Sequence, residues 1–325
     1  MGARDDAKEV IVRFKGFLLT LVLVFSTLLT LPAAAEHTGA WVVSTTRLDD
    51  RLVELSVHSS AVGHDVGVRL LLPPDFDRYP ARRWPTLYLL HGCCDGDTGF
   101  RSWTDKTDVE ELTAHTNMLV VMPEGGPAGF YSDWVSGPRW ETFHLTELRR
   151  IVERQYRSGT HRAVAGLSMG GFGALSYAAR HPGFFRATAS FSGVVHPTYQ
   201  GTRSTQFVMD LVRGSGADPL ALWGDPVANA DVWAAHNPFD LARRLRGTKV
   251  YISAGNGEAG PLDGPDAGFD SLEQLLGEQS VAVADRLRAS GVPVRTDFYG
   301  PGHHAWPYWE RALHRAFPLL VRATR

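Results

Sequence analysis

The chain has 325 residues, of which 44% are hydrophobic and 21% are charged, a composition that excludes an intrinsically disordered protein. The formal net charge is −2 with both signs interspersed, which excludes the basic surface that binding to nucleic acid requires. Length alone does not decide between one domain and two.

The first 35 residues differ from the rest of the chain. Several Arg and Lys side chains precede an uncharged apolar run at residues 16–31, and three alanines follow at 33–35. This order is typical of a signal peptide cleaved after Ala35, which leaves a mature catalytic domain at residues 36–325. The alternative is an uncleaved membrane anchor, because the run approaches the roughly 18 residues that a spanning helix needs. Both interpretations predict a secreted or cell-envelope protein, and cleavage leaves no membrane span.

After residue 36, apolar runs of strand length alternate with helical patterns. Residues 86–90 and 118–122 are continuous apolar runs that end in turns, which is typical of strands buried on both faces. Further strands are expected at 162–165, 187–191, 249–254 and 294–299, and helices at 108–115, 147–156 and 171–180. The alternation predicts one α/β domain whose mostly parallel central sheet carries helices on both faces.

Two segments fit this alternation poorly. Residues 199–238 and the Gly/Asp/Pro-rich residues 255–268 are predicted to be loops or short helical excursions that frame a substrate cleft. Neither segment predicts a large separate cap domain. In a parallel sheet, the binding site is expected at the carboxyl ends of the strands.

Cys93 and Cys94 are the two cysteines of the chain, and they are adjacent. Neighbouring Cα atoms lie about 3.8 Å apart, below the usual disulfide range, so a bond between them would be strained. The pair cannot form a disulfide framework. The sequence contains no CxxC or HExxH motif, and it therefore predicts no metal site and no cofactor.

Residues 166–170, Gly-Leu-Ser-Met-Gly, match the GxSxG pattern of a nucleophile elbow. The motif follows the predicted strand at 162–165 and opens the predicted helix at 171–180, which is the context that the pattern requires. Glycine at both ends lets the strand and the helix approach closely. The sequence therefore predicts that Ser168 is a catalytic nucleophile.

A serine nucleophile needs a histidine base and an acid, which in this arrangement follow it along the chain. His303 and His304 stand together after the last predicted strand, and spacing does not choose between them. The acid is expected after the strand at 249–254. The candidates there are Glu258, Asp263, Asp266, Asp270, Glu273 and Glu278.

Negative charge that develops on the substrate oxygen needs N–H donors. In this kind of site they come from the residue after the nucleophile and from a turn after an earlier strand. These donors are predicted to be the backbone amides of Met169 and of the turn at residues 91–93.

Six segments carry a more specific pattern than any single motif. They are residues 88–92 (YLLHG), 122–134, 140–143 (WETF), 166–169 (GLSM), 255–257 (GNG) and 304–309 (HAWPYW). Together they resemble the esterase family that contains the antigen 85 mycolyltransferases and, more distantly, the S-formylglutathione hydrolases of the esterase D type. The resemblance covers nearly the whole mature chain. It implies the α/β-hydrolase fold and an acylated serine.

The resemblance also implies which residues complete the site. The family's catalytic histidine is followed by a small residue and Trp-Pro-Tyr-Trp, which selects His304. Its acid is a glutamate after a Phe-x-Leu-like segment, which selects Glu273. Its oxyanion donors carry over to the backbone N–H groups of Cys93 and Met169. His91, Trp134 and Trp306 are the predicted substrate-binding residues.

His91 and Cys94 stand where the mycolyltransferases have an aspartate and an arginine that hold trehalose. The acyl acceptor therefore stays open between water, an alcohol and a sugar. The first hypothesis is a secreted serine esterase that acts on an ester or acyl-lipid substrate. The alternatives are a mycolyltransferase-like enzyme with trehalose or another cell-wall glycolipid or sugar as acceptor, a feruloyl-type esterase or depolymerase, and a non-catalytic secreted binding protein.

Overall fold

One sheet organises the computed structural model, which describes residues 39–94 and 96–325. The predicted signal peptide lies outside the described residues. The strands are β1 Trp41–Arg47, β2 Leu52–Ser59, β3 His64–Leu71, β4 Trp84–Leu90, β5 Leu119–Pro123, β6 Ser158–Leu167, β7 Ala187–Phe191, β8 Lys249–Ala254 and β9 Val294–Phe298. Their spatial order is β1-β2-β3-β5-β4-β6-β7-β8-β9.

The sheet is antiparallel at one end and parallel elsewhere. β1, β2, β3 and β5 are antiparallel neighbours, whereas the pairs from β5 through β4 to β9 are parallel. Short connections join β1 to β2 and β2 to β3, and such connections permit only antiparallel pairing. The mostly parallel sheet predicted from the sequence is confirmed, although β1, β2 and β3 were not among the predicted strands.

Helices follow most of the strands. They are α1 Ser102–Lys106, α2 Val109–Thr113, α3 Trp140–Thr142, α4 Arg149–Gln155, α5 Met169–Arg180, α6 Thr202–Gly214, α7 Pro219–Trp223, α8 Ala230–His236, α9 Ser271–Ala289 and α10 Trp306–Thr324. Shorter 3₁₀ turns lie at Gly96–Arg101 and Ala242–Leu245, and a wide π-helical turn at Phe143–Leu148 joins α3 to α4. In the described part of the chain, no helix is long and apolar enough to cross a membrane.

The core has two parts, one on each face of the sheet. Leu90 of β4 packs in the same apolar cluster as Phe172 of α5, whereas its neighbour Leu89 packs with Leu313 of α10. Successive side chains of a strand point to opposite faces, so α5 and α10 cover opposite sides of the sheet. The predicted α/β-hydrolase arrangement with helices on both faces is therefore confirmed.

The two segments that did not fit the predicted alternation of strands and helices differ in secondary structure. Residues 199–238 contain α6, α7 and α8, and the 13 residues of α6 make it longer than a short helical excursion. Residues 255–268 contain no helix or strand. Both segments belong to the same compact unit as the sheet, so the described chain has no separate cap domain.

Candidate active site

Ser168 lies in a tight turn between β6 and α5. Its backbone has φ 51° and ψ −119°, a left-handed conformation that is rare for a residue with a side chain. A Cβ at Gly166 would lie 2.3 Å from the Gly170 carbonyl oxygen, and one at Gly170 would lie 2.4 Å from the Leu90 carbonyl oxygen. Only glycine fits at these two positions, and the close approach of strand and helix therefore depends on them.

His304 connects Ser168 with Glu273. Its Nε2 lies 3.0 Å from the Ser168 Oγ, and its Nδ1 lies 2.9 Å from the Glu273 Oε2. Ser168 follows β6, His304 lies in the loop after β9, and Glu273 lies in the first turn of α9. Three distant parts of the chain thus meet at the carboxyl edge of the sheet, where the sequence predicted a site.

The carboxylate of Glu273 is fully buried and accepts hydrogen bonds on both oxygens. Its Oε1 accepts from the Gly255 N–H at 2.6 Å, the Ser192 Oγ at 2.8 Å and the Tyr299 hydroxyl at 3.3 Å. Because Oε2 accepts from His304, the ring proton of His304 lies on Nδ1. Its Nε2 is then an acceptor for the hydroxyl proton of Ser168, as general-base catalysis requires.

The other candidates have different partners. His303 pairs with Asp263, with 3.3 Å between Nδ1 and Oδ1. Glu258 accepts from the Asn256 side chain, and Glu278 accepts from the Gln200 side chain. Asp270 accepts a hydrogen bond from the backbone N–H of His304 and not from its ring.

The turn after β4 packs directly against Ser168. A Cβ at Gly92 would lie 2.6 Å from the Leu167 side chain and 3.5 Å from the Ser168 Cβ. Met169 is the first residue of α5, so its N–H has no carbonyl partner within the helix. The backbone next to Gly92 and the N-terminus of α5 therefore lie beside the Ser168 hydroxyl, where a substrate oxyanion would form.

A buried polar network supports this turn. The His91 Nδ1 donates to the Gly92 carbonyl at 2.6 Å, and its Nε2 accepts from the Gly125 N–H at 2.8 Å. The Tyr131 hydroxyl donates to the His91 carbonyl at 3.0 Å. Burial alone would raise the pKa of the neighbouring Glu124, but hydrogen bonds from the backbone N–H groups of Phe100 and Gly126 hold it below its usual value.

The three predicted substrate-binding residues differ in their burial and in their contacts. His91 is 1% exposed and its ring contacts lie within the protein, so this placement does not support the predicted contact with substrate. Trp306 is half-buried and packs edge-on against Trp309, whose ring lies 4.8 Å from that of His304. Trp134 donates to the Gly129 carbonyl and packs with the loop that contains it.

Ser192 and Tyr299 donate hydrogen bonds to the Glu273 carboxylate, but neither was predicted from the sequence as a site residue. Ser192 follows β7 directly and has φ 46°, and Tyr299 follows β9 directly. Their position in the sequence could have indicated them, because residues that directly follow parallel strands lie at the edge of the sheet where binding sites form. The sequence pattern did not indicate which of these residues point at the Glu273 carboxylate.

Cys93 and Cys94 are joined by a disulfide bond in the structure. The bond links neighbouring residues and therefore ties no distant segments together. Among residues 39–94 and 96–325, no group of three or more His, Cys, Asp or Glu side chains could hold a metal ion.

The stability of the fold should fall as the pH is lowered from about 6.5 to about 4. Burial lowers the pKa of His144 from 6.5 to about 4, and the neutral ring bridges the Glu124 carbonyl and the Tyr177 hydroxyl. Below pH 6.5 the unfolded chain binds a proton that the folded chain rejects until about pH 4. One such group costs about 1.4 kcal/mol of unfolding free energy per pH unit in this window.

Urea denaturation at pH 7, 6 and 5 measures this dependence. The variant His144→Gln keeps an N–H donor for the Glu124 carbonyl but does not titrate, so its stability should depend on pH by about one proton less. His196 and His236 also have pKa values lowered by burial, and partners hold the pKa values of Glu124 and Glu141 below their usual values, so all four groups contribute to the remaining slope. A slope equal to that of the unmodified protein would contradict the assignment.

The sequence is similar to a family of esterases and to individual members of known name. Residues 59–320 match the model of the Esterase family, described as "Putative esterase". Esterase Rv1288 of Mycobacterium tuberculosis is 36% identical over 280 residues, which cover 82% of this chain and 58% of that protein. The chain therefore spans less than two thirds of the length of this relative.

Two further proteins extend the comparison. The diacylglycerol acyltransferase/mycolyltransferase Ag85B of Mycolicibacterium smegmatis is 30% identical over 249 residues, covering 73% of this chain and 76% of that protein. The crystal structure of Mycobacterium tuberculosis MPT51 (FbpC1) superposes with a TM-score of 0.70 at 25% identity, covering 82% of this chain and 96% of that one. The family resemblance seen in the sequence is thus confirmed.

Proposed function

The chain belongs to this esterase family, and from the geometry of its site we propose that it is a secreted serine esterase whose Ser168 carries the acyl group. The observation that carries the proposal is the continuous chain of contacts from Ser168 through His304 to Glu273. An unactivated serine hydroxyl is a weak nucleophile, and a neutral imidazole with a fixed tautomer is the group that activates it.

The first half-reaction forms the acyl-enzyme. The Ser168 Oγ attacks the ester carbonyl carbon while His304 Nε2 takes the hydroxyl proton, and Glu273 stabilises the imidazolium that results. The backbone N–H groups of Cys93 and Met169 donate to the oxyanion, where each such donor lowers the barrier by about 3 kcal/mol. The tetrahedral intermediate collapses, the bond to the alcohol oxygen breaks, and His304 returns the proton to the leaving alcohol.

The second half-reaction releases the acyl group. His304 deprotonates the acceptor, whose oxygen attacks the acyl carbonyl, and Ser168 leaves with the proton. Water as acceptor gives hydrolysis, and a sugar hydroxyl gives acyl transfer. Similarity to Ag85B, a diacylglycerol acyltransferase/mycolyltransferase, supports acyl transfer as the second candidate. For that candidate we propose a cell-wall glycolipid or sugar as the acceptor.

The aromatic rings beside His304 support a substrate whose acyl chain is apolar. Trp309 packs edge-on against the His304 ring, and Trp306 packs on Trp309. Apolar walls with few polar groups are typical of small-molecule sites. Secretion is part of the proposal because of the signal-peptide pattern at residues 1–35.

A panel of p-nitrophenyl esters of graded chain length, assayed with and without trehalose, separates the two candidates. We expect turnover of these esters in water, with free acid as the product and no effect of trehalose. If acyl-trehalose were the main product, the proposed activity would be acyl transfer and not hydrolysis. An inactive folded protein across the whole panel would contradict both and leave a binding role.

A further inference from the structure

The carboxylate of Asp270 contacts both the acid-bearing helix and the base-bearing loop. Its Oδ1 accepts from the backbone N–H groups of Leu272 at 2.9 Å and Glu273 at 3.1 Å. Its Oδ2 accepts from the backbone N–H of His304 at 2.8 Å. A single side chain therefore bonds to the main chain of both residues that face each other in the site.

The contacts of Oδ1 cap the helix that carries the acid. Asp270 is the N-cap of α9, and Glu273 lies in the first turn. The N–H groups of a first turn have no partners within the helix, so the cap determines how that turn is held. The direction from which Glu273 approaches His304 thus depends on Asp270.

The contact of Oδ2 holds a loop that has little structure of its own. Residues 299–305 contain no helix or strand, and Gly300 and Gly302 both have positive φ values. Other bonds tie the neighbouring positions, including Gly302 N–H to the Glu258 carbonyl at 2.7 Å. The hydrogen bond to Asp270, in contrast, comes from the backbone N–H of His304, the residue that carries the imidazole.

Asp270 also places a negative charge close to the base. Burial by itself would raise the pKa of this carboxyl, but hydrogen bonds from the backbone N–H groups of His304, Glu273 and Leu272 hold it below its usual value. Asp270 is therefore ionised at neutral pH, and as a charged acceptor it forms stronger hydrogen bonds to the backbone N–H groups of both segments.

We propose that Asp270 is a positioning residue that fastens the His304 loop to the N-terminus of α9 and so aligns the imidazole between Ser168 and Glu273. This role rests on the proposed serine mechanism. The hydrogen bonds of Asp270 go to the main chain of Leu272, Glu273 and His304 and not to the Ser168 hydroxyl, so its effect on Ser168 passes through His304.

The variant Asp270→Ser separates the two contacts. A serine hydroxyl caps a helix about as well as aspartate, but it is too short to hold the His304 N–H as well. We expect kcat for a p-nitrophenyl ester to fall by about 10- to 100-fold with KM little changed, because small misplacements of catalytic groups have effects of this size. The rate of labelling by a fluorophosphonate probe should fall by the same factor, since it reports the reactivity of Ser168.

Asp218→Ala is the matched control, because Asp218 is also an N-cap and accepts only from the first turn of α7 among its described contacts. It should lose helix capping and keep kcat. Wild-type kcat in folded Asp270→Ser would overturn the positioning role, as would an equal loss of kcat in Asp218→Ala. If Ser168→Ala stayed active, the proposed function itself would fail. An inactive Ser168→Ala beside a fully active Asp270→Ser would overturn the positioning role alone.

Discussion

Replacement of Ser168 by alanine should lower kcat for a short p-nitrophenyl ester by at least about 10⁴-fold without unfolding the protein. The Ser168 Oγ is the atom that forms the acyl bond in the proposed mechanism, and the alanine side chain has nothing to replace it. The Ser168 hydroxyl bonds to the His304 side chain and is not part of either apolar cluster, so its removal leaves the core packing intact. Steady-state kinetics with circular dichroism measure both effects.

Ser176→Ala is the matched control for this variant. Ser176 lies on α5, the helix that Ser168 precedes, and its buried hydroxyl donates to the His236 carbonyl and not to Ser168, His304 or Glu273. It should keep wild-type kcat. Turnover by Ser168→Ala within about ten-fold of the unmodified protein would rule out Ser168 as the nucleophile.

Glu273→Gln should lower kcat by about 10³- to 10⁴-fold. Glu273 Oε1 faces three donors and Oε2 faces the His304 Nδ1, so the amide N–H₂ of glutamine meets a donor in either orientation. His304 is then driven toward the tautomer that carries its proton on Nε2, where it cannot accept from Ser168. The effect should appear in kcat, because substrate contacts are unchanged.

The control for the acid is Glu278→Gln on the same helix. Glu278 was another candidate acid, and it contacts Gln200 away from the triad. It should keep full activity. A loss of kcat in Glu278→Gln larger than that in Glu273→Gln would reassign the acid.

The turn that carries Ser168 could be predicted from the sequence because its requirements are local. The glycines at 166 and 170, the strand before them and the helix after them all lie within a short stretch. His303 and His304 posed a different problem, since adjacent residues in an irregular loop point in directions that only the folded loop determines. The family resemblance selected His304, which is the histidine that the structure places between Ser168 and Glu273.

Side-chain direction also explains what sequence reasoning could not reach. The position of His91 just after β4 placed it near the nucleophile, but its ring turns inward to Gly92 and Gly125. Asp270 was among the candidate acids because it follows the strand at 249–254, where the acid was expected. Its contact with the His304 backbone depends on two loops meeting in space, which no spacing along the chain records.

The most direct test of the account is to trap the acyl-enzyme with a slowly deacylating p-nitrophenyl ester and to measure the mass of the intact protein and of its peptides. The account predicts one acyl group per chain, carried on the peptide that contains Ser168 and absent from Ser168→Ala. An acyl group on another residue, or ester turnover with no acylated protein at any time point, would contradict the central claim.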